Sequence, residues 1–165
     1  MYDNIHWRDD ESIWDGRWRS AQQRVFRPSP LRRLVPLRRM TMDEALTRRA
    51  GRQVTADLYA LGIEPTNSFT RARSHAQTRG WRVGREFSDP YSSPDPTQRP
   101  GWSQLCARVS GGEAHGVVVI GQSDITSDDC IFETTLDWFG ERGGFIDFVL
   151  APHLAQEHGN EHTHY

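Results

Sequence analysis

From Val54 onward, the order of hydrophobic and polar residues predicts strands that alternate with helices. Apolar side chains at every second position from Val54 to Tyr59 have the period of a strand with one buried face. Between Phe69 and Gly80, apolar residues recur instead at the spacing of one helix face. We therefore expect the globular part of the chain to open with a strand that is followed by a helix.

The stretch from Trp81 to Ile120 continues this order and is the most informative part of the chain. Trp81 to Asp89 alternates as a half-exposed strand does. A helix opens at Arg99-Pro100-Gly101-Trp102 and ends at Gly111-Gly112. Val117 to Ile120 is continuously apolar and β-branched, which is typical of a central parallel strand covered on both faces. We expect these two strands to be parallel neighbours, with the helix as their crossover.

A third helix and a fourth strand complete the pattern. Ser127 is expected to cap the helix, with Asp128 and Asp129 in its first turn, and Phe145 to Leu150 supplies the last strand. Strands that alternate with helices imply right-handed crossovers and a parallel sheet. The predicted fold class is α/β: a three-layer sandwich with a mainly parallel four-stranded sheet, over residues 53–150.

A short helix, residues 41–52, is expected to link this body to the residues before it. Thr41 can cap the helix and Glu44 can complete a capping box. Gly51 is placed to end it.

Residues 1–40 are predicted to form an Arg/Trp-rich arm, flexible and mostly irregular, because prolines interrupt any regular pattern there. The 165-residue chain has a formal net charge of -2, yet residues 17–39 contain no acid. This stretch holds eight arginines: Arg17, Arg19, Arg24, Arg27, Arg32, Arg33, Arg38 and Arg39. Such a segment predicts binding to DNA phosphates or to an acidic partner. The competing interpretation is an arm whose arginines are merely solvated.

No membrane association, cofactor or metal site is predicted. The N-terminus lacks the charged head and apolar run of a signal peptide, and no stretch approaches the roughly 18 apolar residues of a membrane span. A cytoplasmic protein is therefore expected. Residues 151–165 contain the histidines His153, His158, His162 and His164. We prefer a disordered polar tail to a weak transition-metal site, since nothing nearby would orient such ligands.

In a parallel α/β sheet, ligands bind at the carboxyl ends of the strands. The predicted ends carry Tyr59, Asp89, Ser92, Ser93, Ser123 and Asp124. Asp89 and Asp124 could pair to hold a metal ion or to act in acid–base chemistry. The alternative, which we favour, is that Asp89 caps its loop and Asp124 is solvated.

The central stretch contains four short motifs in a fixed order. They are Arg79-Gly80-Trp81-Arg82-Val83, Glu86-Phe87-Ser88-Asp89, Arg99-Pro100-Gly101-Trp102, and Gly112 followed by His115-Gly116-Val117-Val118-Val119. In their order and spacing they resemble the catalytic domain of serine recombinases, the resolvase/invertase family. The resemblance extends from Val54 to Leu150. It implies a resolvase-like fold, a relation to site-specific DNA recombination, and DNA or another recombinase-type protein as the partner.

The resemblance also implies where the chemistry would lie. The family carries a Y-x-R-x-S motif after strand one; its serine attacks a DNA phosphate while arginines neutralise the developing charge. The matching residues here are Tyr59, Leu61 and Ile63, so the tyrosine is kept but an arginine and the nucleophile are not. The family's D-R-L-S-R motif corresponds to Ser123-Asp124-Ile125-Thr126-Ser127, in which both arginines are absent.

The sequence therefore predicts a truncated, degenerate serine-recombinase-like domain without strand-exchange activity, which acts as a DNA- or protein-binding module. The region of the family's site comprises Tyr59, Ile63, Ser68, Asp89 and Asp124, and none of them is assigned a catalytic role. One alternative is an active DNA-cleaving enzyme with Ser68 as a rearranged nucleophile, although the short loop before it makes Ser68 a poor substitute. Another is a protein-interaction scaffold that does not bind DNA.

Overall fold

The computed structural model of the chain describes residues 30–91 and 93–150, with side chains from Arg32 onward in the first helix. Helices and strands alternate after that helix. In chain order the elements are α1 (Pro30–Arg48), β1 (Thr55–Leu61), α2 (Thr66–Thr78), β2 (Arg82–Asp89), α3 (Pro100–Ser110), β3 (Gly116–Val119), α4 (Asp129–Glu141) and β4 (Phe145–Phe148). Short 3-10 turns lie at Pro96–Gln98 and Gln122–Asp124.

The four strands form one sheet in the order β2-β1-β3-β4, and every neighbouring pair is parallel. This confirms the predicted α/β class. The expectation that the strands β2 and β3 are neighbours is wrong, because β1 lies between them and pairs with both. The physical reason is burial: β1 is buried over most of its length and suits the centre of the sheet, whereas half of the residues of β2 are exposed, which suits an edge.

Helices cover both faces of the sheet, so the domain has three layers. On one face, α3 and α4 bury Trp102, Leu105 and Phe139 against β1, β3 and β4. On the other face, Ala76 of α2 and Met42 of α1 pack with residues of β1 and β3.

The first helix begins eleven residues earlier than its capping signal predicted, at Pro30 instead of Thr41. Proline is tolerated at a first helical position because its missing N–H would be unpaired there. The Oγ1 of Thr41 donates to the backbone oxygen of Leu37, one turn back, and so does not cap a helix start. Leu34, Thr41 and Ala45 are all buried. Packing of this face against α4 and β4 places residues 30–40 in the helix, where an irregular arm was expected.

The start of α4 also differs by one residue from its prediction. Asp128, not Ser127, is the N-cap, and its Oδ1 accepts hydrogen bonds from the backbone N–H groups of Cys130 and Ile131 at 2.9 and 3.0 Å. Either residue type can cap a helix, so only the backbone conformation decides between them.

Some predictions fall outside the described residues. These are the arginines and tryptophans before Pro30, Ser92, and the four histidines of residues 151–165. Within the described ranges, no helix is long and apolar enough to cross a bilayer, and no three His, Cys, Asp or Glu side chains are grouped to hold a metal ion.

Candidate functional site at the carboxyl ends of the strands

The polar residues predicted at the strand ends converge around one side chain, Asp89. It is the last residue of β2, only 4 % exposed, and its Oδ2 accepts a 2.9 Å hydrogen bond from the hydroxyl of Tyr59 in β1. Asp89 therefore links the two adjacent strands at the edge where a parallel sheet carries its ligands.

The Asp89 carboxylate is also bound to the start of α3. The backbone N–H groups of Gly101 and Trp102 donate to its two oxygens at 2.8 and 2.9 Å. These are among the N–H groups that a helix leaves unpaired, and the positive end of the helix dipole favours a carboxylate there. A Cβ on Gly101 would lie 2.7 Å from Asp89 Oδ2 and 2.8 Å from the backbone oxygen of Ser88. The Pro100-Gly101 pair thus has a local structural explanation. Proline lacks the N–H that would be unpaired at the helix start, and glycine lacks the side chain that would collide with Asp89 and Ser88.

Arg99, just before this helix, faces into the protein and is 3 % exposed. Its Nη1 donates to the backbone oxygens of Ile125 at 2.8 Å and Asp124 at 3.1 Å. Its Nε and Nη2 donate to the backbone oxygens of Ser93 and Pro94 at 2.9 and 3.3 Å. This guanidinium therefore joins the loop after β2 to the turn after β3.

Tyr59 is held as a neutral hydrogen-bond donor. Burial raises the pKa of its hydroxyl well above the ordinary value, and the neighbouring Arg99 opposes the shift while Asp89 adds to it. The ring also packs edge-on against Trp102, with centroids 4.9 Å apart. A phenol in these surroundings is not poised to act as a nucleophile or a base.

Asp124 lies in the turn after β3, and its Oδ2 accepts from the backbone N–H of Ile120 at 3.3 Å. Burial raises the pKa of this carboxyl, and hydrogen bonds from the backbone of Ile120, Gly121 and Leu61 oppose the rise. Asp124 is thus turned toward the backbone of its own turn and of β1. Asp89 and Asp124 are bound to different partners, and the described residues form no metal-binding group around them.

Ile63 and Ser68 lie apart from this hydrogen-bonded group. Ile63 is 86 % exposed in the loop after β1, beside Gly62, which has a positive φ of 140° and at which a Cβ would lie 3.4 Å from the ring of Tyr91. Ser68 is half-buried in the first turn of α2. No hydrogen bond joins its hydroxyl to any residue in the described part of the chain.

The arginines assigned to nucleic-acid binding divide into two groups where the structure describes them. Arg32 and Arg39 are exposed on α1. Arg33 is paired with Glu133 of α4 at 2.7 Å, and Arg38 is buried with its Nη1 3.2 Å from Asp147 of β4. Arg17, Arg19, Arg24 and Arg27 lie outside the described residues.

Burial lowers the pKa of Arg38, and the neighbouring carboxylate of Asp147 opposes this shift. Its guanidinium also lies over the ring of Phe148, 4.6 Å from the centroid. Arg38 therefore attaches α1 to the sheet and does not face a ligand in solution.

Two buried acids inside strands escaped the sequence analysis. Asp57 in β1 accepts from Arg108 Nε at 2.7 Å and from the backbone N–H of Arg85, at a bulge in β2. Asp147 in β4 accepts from His75 at 2.7 Å as well as from Arg38. The available signal was an acid inside an otherwise apolar strand, which predicts a buried ion pair but not its partner.

Comparisons with known proteins identify the fold of this chain. No protein-family model matches the sequence, and no curated protein matches it. Among solved structures, the chain is similar to the C-terminal catalytic domain of ISC1926 TnpA, an IS607-like serine recombinase, with 21% sequence identity and a TM-score of 0.53 over 66% of this chain and 78% of that one. It is also similar to the N-terminal catalytic domain of TP901-1 integrase, with 16% identity and a TM-score of 0.51 over 58% of this chain and 76% of that one. The body thus has the fold of serine recombinase catalytic domains, as the resemblance implied.

Proposed function

We propose that this chain is a protein of the serine recombinase fold that does not cleave DNA and acts instead as a binding module related to site-specific recombination. The observation that supports this most is the side chain of Ile63, fully aliphatic and 86 % exposed, at the position that the motif match assigns to the nucleophile.

The chemistry of strand cleavage explains why this position matters. A hydroxyl must attack the phosphate, and cations must neutralise the charge that develops on its oxygens. Ile63 has no group that can form a phosphoester, and Leu61 provides no charge. Arg99 is the arginine nearest to the Tyr59–Asp89 pair, and its guanidinium is engaged by backbone oxygens and by the hydroxyl of Tyr59. A phosphate at this end of the sheet would also meet Asp124 and the exposed Glu64.

DNA is the partner we propose, contacted by Arg32, Arg39 and the four arginines that precede them, Arg17, Arg19, Arg24 and Arg27. Arg32 and Arg39 support this on the described part of the segment, because both are exposed. Arg33 and Arg38 support it indirectly, since their ion pairs attach α1 to the body and so fix the point at which the preceding residues join it. This function would be exercised in the cytoplasm. A recombinase-type protein is the alternative partner.

DNA binding is tested by fluorescence anisotropy with the full chain and labelled duplex DNA across a range of salt concentrations. The variant R17Q/R19Q/R24Q/R27Q is compared with the matched variant in which the same four arginines become lysine. We expect the glutamine variant to lose about tenfold or more in affinity near 0.1 M salt, while the lysine variant keeps most of it, because phosphate contacts depend on charge. Absence of binding by the wild-type chain at low salt would refute the DNA partner and favour the protein scaffold.

Loss of catalysis is tested separately, by incubating the chain with a pool of genomic fragments from its source and denaturing the mixture. We expect no covalent protein–DNA adduct from the wild-type chain. An adduct that disappears in Ser68→Ala would instead establish the rearranged nucleophile.

A further inference from the structure

The two ends of the sheet carry opposite charge. At the carboxyl ends, Glu64 and Asp128 are exposed and Arg99 is buried. At the amino ends lie Arg48, Arg52, Arg79 and Arg82, all of them exposed, which we call the basic end. Neither the sequence order nor the charge count of the chain shows this separation, because these arginines come from two separate segments, residues 48–52 and 79–82.

Backbone and side-chain contacts make the basic end continuous. The backbone N–H of Arg82 donates to the oxygen of Val54, two residues after Arg52. Thr55, three residues after Arg52, is the register partner of Arg82, so Arg52 precedes the start of β1 while Arg82 begins the neighbouring strand β2. On the other side of the end, Arg49 donates to the backbone oxygen of Gly143 at 2.7 Å, which brings the last turn of α1 to the start of β4.

Two of the acids at this end are already paired. Glu113 lies 2.8 Å from Arg108, and Glu141 lies 3.8 Å from Arg142. In contrast, the guanidinium groups of Arg52 and Arg82 have no hydrogen bond or ion pair within the described residues. The basic end thus presents positive charge that the body does not use.

Helix dipoles explain only part of this charge. Arg48 lies in the last turn of α1 and Arg79 follows the end of α2, where a cation offsets the negative end of a helix. Glu44 stands one turn before Arg48, and Arg79 contacts Asp147 and the ring of Trp81. Arg52 and Arg82 belong to no helix, so capping does not explain them.

We infer that the basic end is a second DNA-binding surface, which contacts the phosphate backbone and lies at the opposite end of the sheet from the family's catalytic position. The inference rests on the proposed function for its ligand, duplex DNA. Exposed guanidinium groups without a fixed partner suit a phosphate backbone, and contacts to phosphates carry no sequence information, so we expect binding here to be independent of DNA sequence. A duplex held this way would lie far from Ile63, which agrees with a chain that binds DNA without cutting it.

The test compares two variants of the full chain that lose the same charge: R52Q/R82Q at the basic end, and R71Q/R85Q, whose exposed arginines lie on α2 and in the middle of β2. We measure anisotropy with duplexes of unrelated sequence as salt is raised. We expect R52Q/R82Q to bind about tenfold or more weakly near 0.1 M salt, with the slope of log affinity against log salt reduced by about 2, and R71Q/R85Q to stay within about twofold of wild type. Circular dichroism and thermal unfolding verify that both variants fold.

Four results would overturn the inference. If R52Q/R82Q binds DNA like the wild-type chain, the basic end does not contact DNA, while the proposed binding through the arginines of residues 1–40 remains possible to test by itself. If both variants weaken equally, only net charge matters. If R52Q/R82Q abolishes a self-association seen by sedimentation but leaves DNA affinity unchanged, the occupant is a second copy of this chain. A wild-type chain that binds no DNA refutes the proposed function itself, and this inference with it.

Discussion

The hydroxyl of Tyr59 donates a 2.9 Å hydrogen bond to Asp89, whose carboxylate also accepts from the first turn of α3. One buried acid therefore holds together two strands and a helix at the end of the sheet where a ligand would be expected. Asp89, which the sequence suggested as a candidate for metal binding or acid–base chemistry, therefore stabilises the fold.

Removing either partner should lower stability more than it changes DNA binding. We expect Asp89→Asn to reduce the free energy of unfolding by about 2 kcal/mol, because the side-chain NH2 group of asparagine would face a hydrogen-bond donor in place of an acceptor oxygen. Tyr59→Phe should reduce it by about 1 kcal/mol, because it removes one hydrogen bond to Asp89. Urea denaturation monitored by circular dichroism measures both. An unchanged midpoint for Asp89→Asn would mean that the cap does not stabilise the fold.

The turn into α3 should accept only glycine at position 101. A Cβ there would lie 2.7 Å from Asp89 Oδ2 and 2.8 Å from the oxygen of Ser88, so Gly101→Ala should cost about 2 kcal/mol or more. Gly121→Ala is the matched control, since nothing lies within 4 Å of its Cβ and its φ of -162° is ordinary extended backbone. We expect the control to stay within about 0.5 kcal/mol of wild type in the same denaturation experiment. Equal effects of the two substitutions would contradict the packing argument.

His115 should make stability depend on pH near neutrality. Its Nδ1 accepts a 2.9 Å hydrogen bond from the backbone N–H of Thr55, and burial, with a smaller effect of Arg49, lowers the pKa of the ring below 6.5. The unfolded chain binds the proton more readily than the folded chain does. The stability that neutral His115 provides is therefore complete above pH 6.5 and is lost as the pH falls through the lowered pKa. His115→Asn keeps an acceptor near the same place and does not titrate. The difference in unfolding free energy between wild type and His115→Asn, measured from pH 7.5 downward, should move in favour of the variant; a constant difference would refute the prediction.

Arg38 and Arg39 are neighbours in sequence with opposite roles. Arg38→Ala removes a buried partner of Asp147, although His75 remains within 2.7 Å of that carboxylate, so we expect a loss of about 2 kcal/mol in unfolding free energy. Arg39→Ala, on the exposed side of α1, should change stability by less than about 0.5 kcal/mol and weaken DNA binding instead. Thermal unfolding and anisotropy on the two variants separate the roles. Equal loss of DNA affinity without loss of stability in Arg38→Ala would place Arg38 at the ligand.

Part of the candidate site follows from the sequence. The predicted strand ends bring Tyr59, Asp89 and the turn of Asp124 to one end of the sheet, because side chains that follow parallel strands meet there. The sequence did not predict the hydrogen bonds of these residues. Asp89 accepts from residues of α3, and Asp124 accepts from the backbone of its own turn and of β1. The sequence analysis identified Arg99, the cation of this group, only as the first residue of the motif Arg99-Pro100-Gly101-Trp102.

The amino-acid sequence alone predicts the alternation of strands and helices, the α/β class and the resemblance to serine recombinases, because each depends on periodicity or on short motifs. The three-dimensional packing was needed to show that β1 lies between β2 and β3, that α1 starts at Pro30, and that Arg38 and Arg99 face inward while Arg52 and Arg82 face outward. These outcomes depend on contacts between residues far apart in the chain. Burial and pairing across such distances decide whether an arginine stabilises the fold or is left for a ligand.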